Sequence, residues 1–170
     1  MIAAADINIT KVERSKLTGI NLENIPFGKY FTDHMLEADY EDGEWKNVEI
    51  KPYQPLLLSP SLAVLHYGQS IFEGMKAYKN QKGEPYLFRP FDNFKRFNIS
   101  AERMAMPQIS EEIFVEGLRQ LVDLDKNWVP NQPKFFGTNL ELQMLEAGYY
   151  LYSYINYILF FSFLCTNLLI

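Results

Sequence analysis

Residues 66–103 read HYGQSIFEGMKAYKNQKGEPYLFRPFDNFKRFNISAER, and this stretch decides the fold. Asn80 to Gly83 supplies a reversal between two apolar runs, so a strand through Lys79 and a return over 84–88 form a hairpin. Ser70 to Met75 is expected to be a short helix leading into that strand. Pro90 stops the hairpin. Asp92 is a suitable N-cap for a helix over 93–105, with Phe94, Phe97, Ala101, Met104 and Ala105 on one face. Strand signals and helix signals thus alternate within 38 residues, which points to an α+β fold. The same stretch carries Arg89, Arg96 and Arg103 beside Tyr67, Phe72, Phe94 and Phe97. Arginines with aromatics suit a flat anionic ligand, because a guanidinium grips phosphate or carboxylate through parallel hydrogen bonds. Arg96, close after Asp92, is the arginine placed to combine that grip with helix N-terminal donors. The pattern equally fits arginines paired with acids such as Glu73 and Glu102, and aromatics in a core.

Outward from this stretch the remaining chain reads in order. Residues 1–25 are polar and aperiodic and suggest a flexible arm. Tyr30, Thr32 and His34 alternate within a strand expected over 27–39, and Asp42-Gly43 turns it back into a second strand ending near Tyr53. Pro52, Pro55 and Pro60 fence Leu56 to Leu58, predicting an edge strand or an extended buried segment. Ser110 caps a further helix whose apolar set is Ile113, Phe114, Leu118, Leu121 and Val122. That helix should end near Lys126.

Composition narrows the function. A net charge of −5 argues against nucleic acid as a partner. One cysteine and two histidines cannot furnish a four-ligand Cys/His zinc site. His34 and His66 read as hydrogen-bonded structural residues. The N-terminal stretch lacks an apolar run and reads as neither a secretory signal nor a good transit peptide, so a cytoplasmic setting is the default, with a mitochondrial one open.

The strings FGKYFTDHML, KPYQPLLLSPSLAVLHYGQSIFEGMKAY, LFRPFDNFKRFNISAERM and LVDLDKNWVP, between Phe27 and Pro130, resemble the N-terminal half of branched-chain-amino-acid aminotransferases. These are fold-type IV enzymes that use pyridoxal 5′-phosphate. The resemblance implies the small α+β domain of that fold over 26–130, in a family that is homodimeric. It implies Arg96 as the residue that binds the cofactor phosphate. It implies Tyr67, Phe27 and Phe72 as substrate-pocket residues, with Tyr30 in the equivalent loop, for Leu, Ile or Val and their 2-oxo acids. Arg89 reads as structural.

After Pro130 the sequence departs from that pattern. The family's Schiff-base lysine belongs to a large domain, and no lysine follows Lys134. The expectation is a chain truncated before the large domain and inactive by itself. A non-catalytic homologue that binds or regulates a full-length subunit is the alternative. Residues 131–170 read as a divergent apolar tail, of the kind that out-of-frame translation in a faulty gene model gives. Residues 147–170 carry no charge over 24 positions, so a C-terminal membrane segment and a buried helix are the competing readings.

Overall fold

A computed structural model describes residues 7–21, 30–130, 138–148 and 155–165, the last two by backbone alone. The strands are β1 (Asn8–Ile9), β2 (Tyr30–Glu41), β3 (Glu44–Pro52), β4 (Ser70–Lys79), β5 (Pro85–Leu87), β6 (Thr138–Gly148) and β7 (Ile155–Cys165). The helices are α1 (Ala63–Tyr67), α2 (Pro90–Arg103) and α3 (Gly117–Leu124). A π-helical turn over Glu112–Glu116 leads into α3, and a 3-10 turn over Lys126–Trp128 comes after it. The fold is α+β, as expected.

All seven strands form one sheet in the order β1-β3-β2-β7-β6-β4-β5. The Asp42-Gly43 turn is observed, with φ of +55° and +86° at the two residues. Both central residues left-handed is the arrangement that matches the twist of a two-residue hairpin. The β4–β5 hairpin is also as expected. Asn80 organises its turn: its side-chain oxygen accepts from the backbone N–H groups of Lys82 and Glu84.

The hydrophobic core lies between the sheet and the helices. Leu36 and Ile50 from β2 and β3 meet Ile71, Met75 and Ala77 from β4, under Phe97 and Ala101 of α2 and Leu118 and Leu121 of α3. Ile113, Phe114, Leu118, Leu121 and Val122 are all buried, so the apolar set read from the sequence is the face that packs. Burying each such side chain is worth about 1.5–3 kcal/mol. Gly117 sits where α3 crosses β2; a Cβ there would lie 2.5 Å from Leu36 Cδ1. The Ser110 cap is also observed, its hydroxyl oxygen accepting from Ile113 N–H at 3.3 Å.

Several expectations are overturned. Ser70 to Met75 is strand rather than helix, and the helix precedes it at Ala63–Tyr67. Ile71, Glu73, Met75 and Ala77 are buried while Ser70, Phe72 and Gly74 are exposed, so this stretch follows the two-residue period of a half-buried strand. The leucine run is neither strand nor core; Leu57 is 99% exposed. Helix α2 begins at Pro90, not after Asp92, with Arg89 as its left-handed cap at φ +53°. Proline is favoured at a first helical position because the N–H it lacks would have no partner there. At the other end of α2, Met104 and Ala105 fall beyond its last turn and are exposed.

Residues 7–21 differ from the flexible arm expected. β1 pairs in parallel with β3, and a buried polar cluster anchors Val12 and Lys16 beyond it. Val12 N–H donates to His34 Nε2 at 3.0 Å, and Lys16 N–H donates to Asp33 Oδ1 at 2.7 Å. His34 Nδ1 lies 2.6 Å from Asp125 Oδ1, and Trp128 Nε1 donates to Asp33 Oδ2 at 2.9 Å. His34 is thus the structural histidine the sequence suggested. Residues 155–165 form a strand paired with β2 and β6, and residues 149–154 and 166–170 of the uncharged stretch lie outside the described residues. Among the described residues no helix is long and apolar enough to cross a membrane.

Candidate functional site

A cationic groove runs beside β4 at the start of α2. Its volume is about 420 Å³, and Lys76, Arg89, Asp92, Asn93 and Arg96 line it with Gly74 and Phe88. Helical periodicity explains this wall. Positions 89, 92, 93 and 96 are spaced by three and four residues and so share one side of the helix and its cap. Strand β4 supplies the opposite wall through its exposed parity, Gly74, Lys76 and Tyr78. Gly74 opens the groove, because nothing lies within 4 Å of where its Cβ would be. Three cations against two carboxylates, Asp92 in the wall and Glu73 behind Arg96, leave one positive charge in excess, which suits an anion.

Arg96 is held from behind. Its Nε donates to Glu73 Oε2 at 2.8 Å, and its Nη2 donates to Glu73 Oε1. The Glu73 side chain is 3% exposed while that of Arg96 is 68% exposed. The acid therefore sits on the core side of the strand and the guanidinium reaches from it toward solvent. Asn93 Nδ2 donates to Glu73 Oε1 at 2.9 Å and to the Gly74 carbonyl at 3.1 Å. The Glu73 hydrogen bond, then its charge, raises the Arg96 pKa, so the guanidinium is permanently charged. Arg89 Nε donates to Asp92 Oδ2 at 2.6 Å across the helix start.

The sequence-predicted residues are not all brought together. Arg96 lies six residues beyond Pro90, about 9 Å along the axis, so it stands past the first turn, whose Asp92 and Asn93 line the same groove. Tyr67 ends α1 beside the left-handed Gly68 and is 68% exposed. Phe72 is 76% exposed on the same face of β4 as Gly74. Tyr30 packs with Leu17 and Ile20 against Trp128. The groove that Arg96 lines includes none of Tyr67, Phe72 and Tyr30. Phe27 lies outside the described residues. Register separates the aromatics as well. Phe31, next to Tyr30, falls in the row Leu164, Asn139, Lys76, whereas Phe72 falls in the row Gln143, Phe160, Glu37. Those rows are four residues apart, about 13 Å.

The sequence pattern does not single out Asn93 as a groove residue, and it offers Glu73 only as a possible ion-pair partner. The signal for Glu73 is its parity. An acid between Ile71 and Met75 on the apolar side of an alternating strand needs a cationic partner.

No family model matches the chain. Curated relatives do. The chain is 50% identical over 121 residues to branched-chain-amino-acid transaminase 1 of Bacillus subtilis, covering 71% of this chain and 33% of that protein. It is 54% identical over 108 residues to a probable branched-chain-amino-acid aminotransferase of Staphylococcus epidermidis, covering 63% and 30%. It is 52% identical over 110 residues to the branched-chain-amino-acid aminotransferase of Mycolicibacterium smegmatis, covering 64% and 30%. The chain thus spans about a third of the length of the relatives it matches, in their N-terminal part. Among solved structures, the holo form of the Thermobaculum terrenum branched-chain aminotransferase aligns with a TM-score of 0.48 at 17% identity, over 74% of this chain and 39% of that one. The Thermoproteus uzoniensis enzyme with norvaline aligns at 0.47 and 16%, over 75% and 40%. Kinship rests on the sequence identities rather than on these structural scores.

Proposed function

We infer that this chain, homologous to the N-terminal part of the branched-chain-amino-acid aminotransferases, supplies the phosphate-gripping wall of a pyridoxal-phosphate transaminase site. Identity of 50–54% with relatives of that name supports the transaminase reading. The observation that carries the role of this chain is the groove of Lys76, Arg89 and Arg96.

The donor set fits the phosphate end of the cofactor. Arg96 spends Nε–H and one Nη2–H on Glu73 and retains three further N–H groups for a phosphate dianion. Asn93 and Lys76 line the same groove. Pyridoxal phosphate, when bound, supplies an electron sink for carbanion chemistry at an amino acid Cα. The chain's own part is to bind and orient that phosphate. In this reading Tyr67, Phe72 and Phe27 border the substrate side chain, and Tyr30, packed on Trp128, stands apart from them. Solvent exposure of Tyr67 and Phe72 is compatible with walls that close only against further protein. Apolar and aromatic walls suit Leu, Ile and Val, which offer only aliphatic bulk to recognise. The 2-oxo acid partner, homodimeric assembly and a cytoplasmic setting belong to the same proposal.

The lysine on which turnover depends is not among the groove residues this reading uses. The purified 170-residue chain with leucine, 2-oxoglutarate and pyridoxal phosphate is therefore expected to give no product above background. It is nevertheless expected to bind pyridoxal phosphate through Arg96. Turnover by the chain alone, or pyridoxal phosphate binding indifferent to Arg96→Ala, would overturn the assignment.

A further inference from the structure

We propose that Glu73, with Asn93, is a positioning residue that holds the Arg96 guanidinium edge-on so that its outer edge faces an anion in the groove. This rests on the reading of the groove as a phosphate site. Glu73 takes the inner edge of the guanidinium, Nε and one Nη, leaving the outer Nη pair as the donor edge toward the groove. A planar fork gripped along one edge has its opposite donors fixed in direction. The grip is itself locked. Asn93 Nδ2 and the Gly74 N–H donate to the Oε1 atom that accepts from Arg96. Asn93 also ties to the Gly74 carbonyl, so one side chain of α2 binds both the acid and the strand that carries it. Glu73 is not part of the groove wall, and its side chain is buried. It acts through Arg96 and does not touch the anion.

The pairing has two opposed effects. The carboxylate offsets part of the arginine's charge, which weakens attraction. It also removes the rotamer freedom that an exposed arginine would lose on binding, which strengthens it. The buried, fourfold-donated carboxylate favours the second effect, because the cost of ordering the pair is met in folding.

The test uses the 170-residue chain and inorganic phosphate, followed by the side-chain Nε–H resonance of Arg96 in 15N-labelled protein. In the unaltered chain that resonance is expected to be sharp and protected, and to shift saturably with phosphate. Glu73→Gln keeps the shape and removes the charge. It is expected to weaken phosphate binding by about tenfold and to move the Arg96 resonance to that of solvent-exposed arginines, with the fold retained by circular dichroism. Asn93→Ser is expected to weaken binding by about threefold and decides the matter if Glu73→Gln does not fold. Unchanged or tighter phosphate binding in these variants overturns the positioning role. If Arg96→Ala also binds phosphate as the unaltered chain does, the groove reading beneath it falls too.

Discussion

Glu73 and Arg96, 23 residues apart, meet through two hydrogen bonds across the β4–α2 boundary. Parity puts Glu73 on the buried side of its strand, and helical spacing puts Arg96 on the side of α2 that overlooks it. The pair ties the groove to the core, so its loss has both a stability and a binding consequence.

Arg96→Ala is expected to destabilise the chain by about 1–3 kcal/mol, because it leaves a buried carboxylate short of its charged partner. Solvent around the exposed guanidinium keeps the cost below that of a fully buried pair. The double variant Arg96→Ala with Glu73→Leu should regain part of the loss. Urea unfolding of the three chains measures this; equal stability of all three would show the pair to be energetically silent.

Acid should weaken the attachment of residues 7–21. Burial raises the Asp33 pKa, but donation from Ser15, the Lys16 N–H and Trp128, with the neighbouring His34, outweighs it and holds the carboxyl below the ordinary 3.8. A carboxyl depressed in the folded state stabilises it fully above its unfolded value. That contribution disappears as pH falls from 3.8 through the lower folded-state value. Asp33→Asn should therefore flatten the loss of stability on going from about pH 5 to about pH 2.5, read from urea midpoints. An unchanged slope would remove Asp33 from the acid response.

Ala105→Gly should raise stability by roughly 0.5–1 kcal/mol. Ala105 follows α2 with φ of +53°, a left-handed conformation that glycine enters at less cost. Met106 N–H donates back to the Ala101 carbonyl at 2.9 Å across it, the arrangement that usually selects glycine there. Thermal unfolding checks the sign.

Gly117→Ala should cost about 1–3 kcal/mol by overpacking against Leu36. The closest atom is the end of a flexible side chain, but Leu36 is fully buried and has little room to give. Gly117→Ala with Leu36→Val should recover part of the loss; no recovery would place the strain elsewhere.

How far the sequence reaches can be judged from particular residues. Turns are legible where chemistry is local, at Asp42-Gly43 and at Asn80 to Gly83, because those residue types select the backbone conformation directly. The buried face of α3 is legible because periodicity reports it. The start of α2 is not, because Asp92 is a good cap by type, yet Pro90 has already fixed the helical φ two residues earlier. Ser70 to Met75 reads falsely as helix because Glu73 interrupts the apolar alternation, and its partner is 23 residues away. Residues 7–21 read falsely as loose because the groups that hold them, His34, Asp33 and Trp128, lie far along the chain. Arg96 stands out in the sequence, but the Glu73 and Asn93 contacts that hold it do not, because they join residues of a strand to residues of a helix.

Titration of the chain with pyridoxal 5′-phosphate, followed by the 31P resonance, tests the phosphate-gripping role most directly. The unaltered chain should give a saturable, salt-sensitive shift, and Arg96→Ala should weaken it by about tenfold or more. Equal binding by the two chains would contradict it.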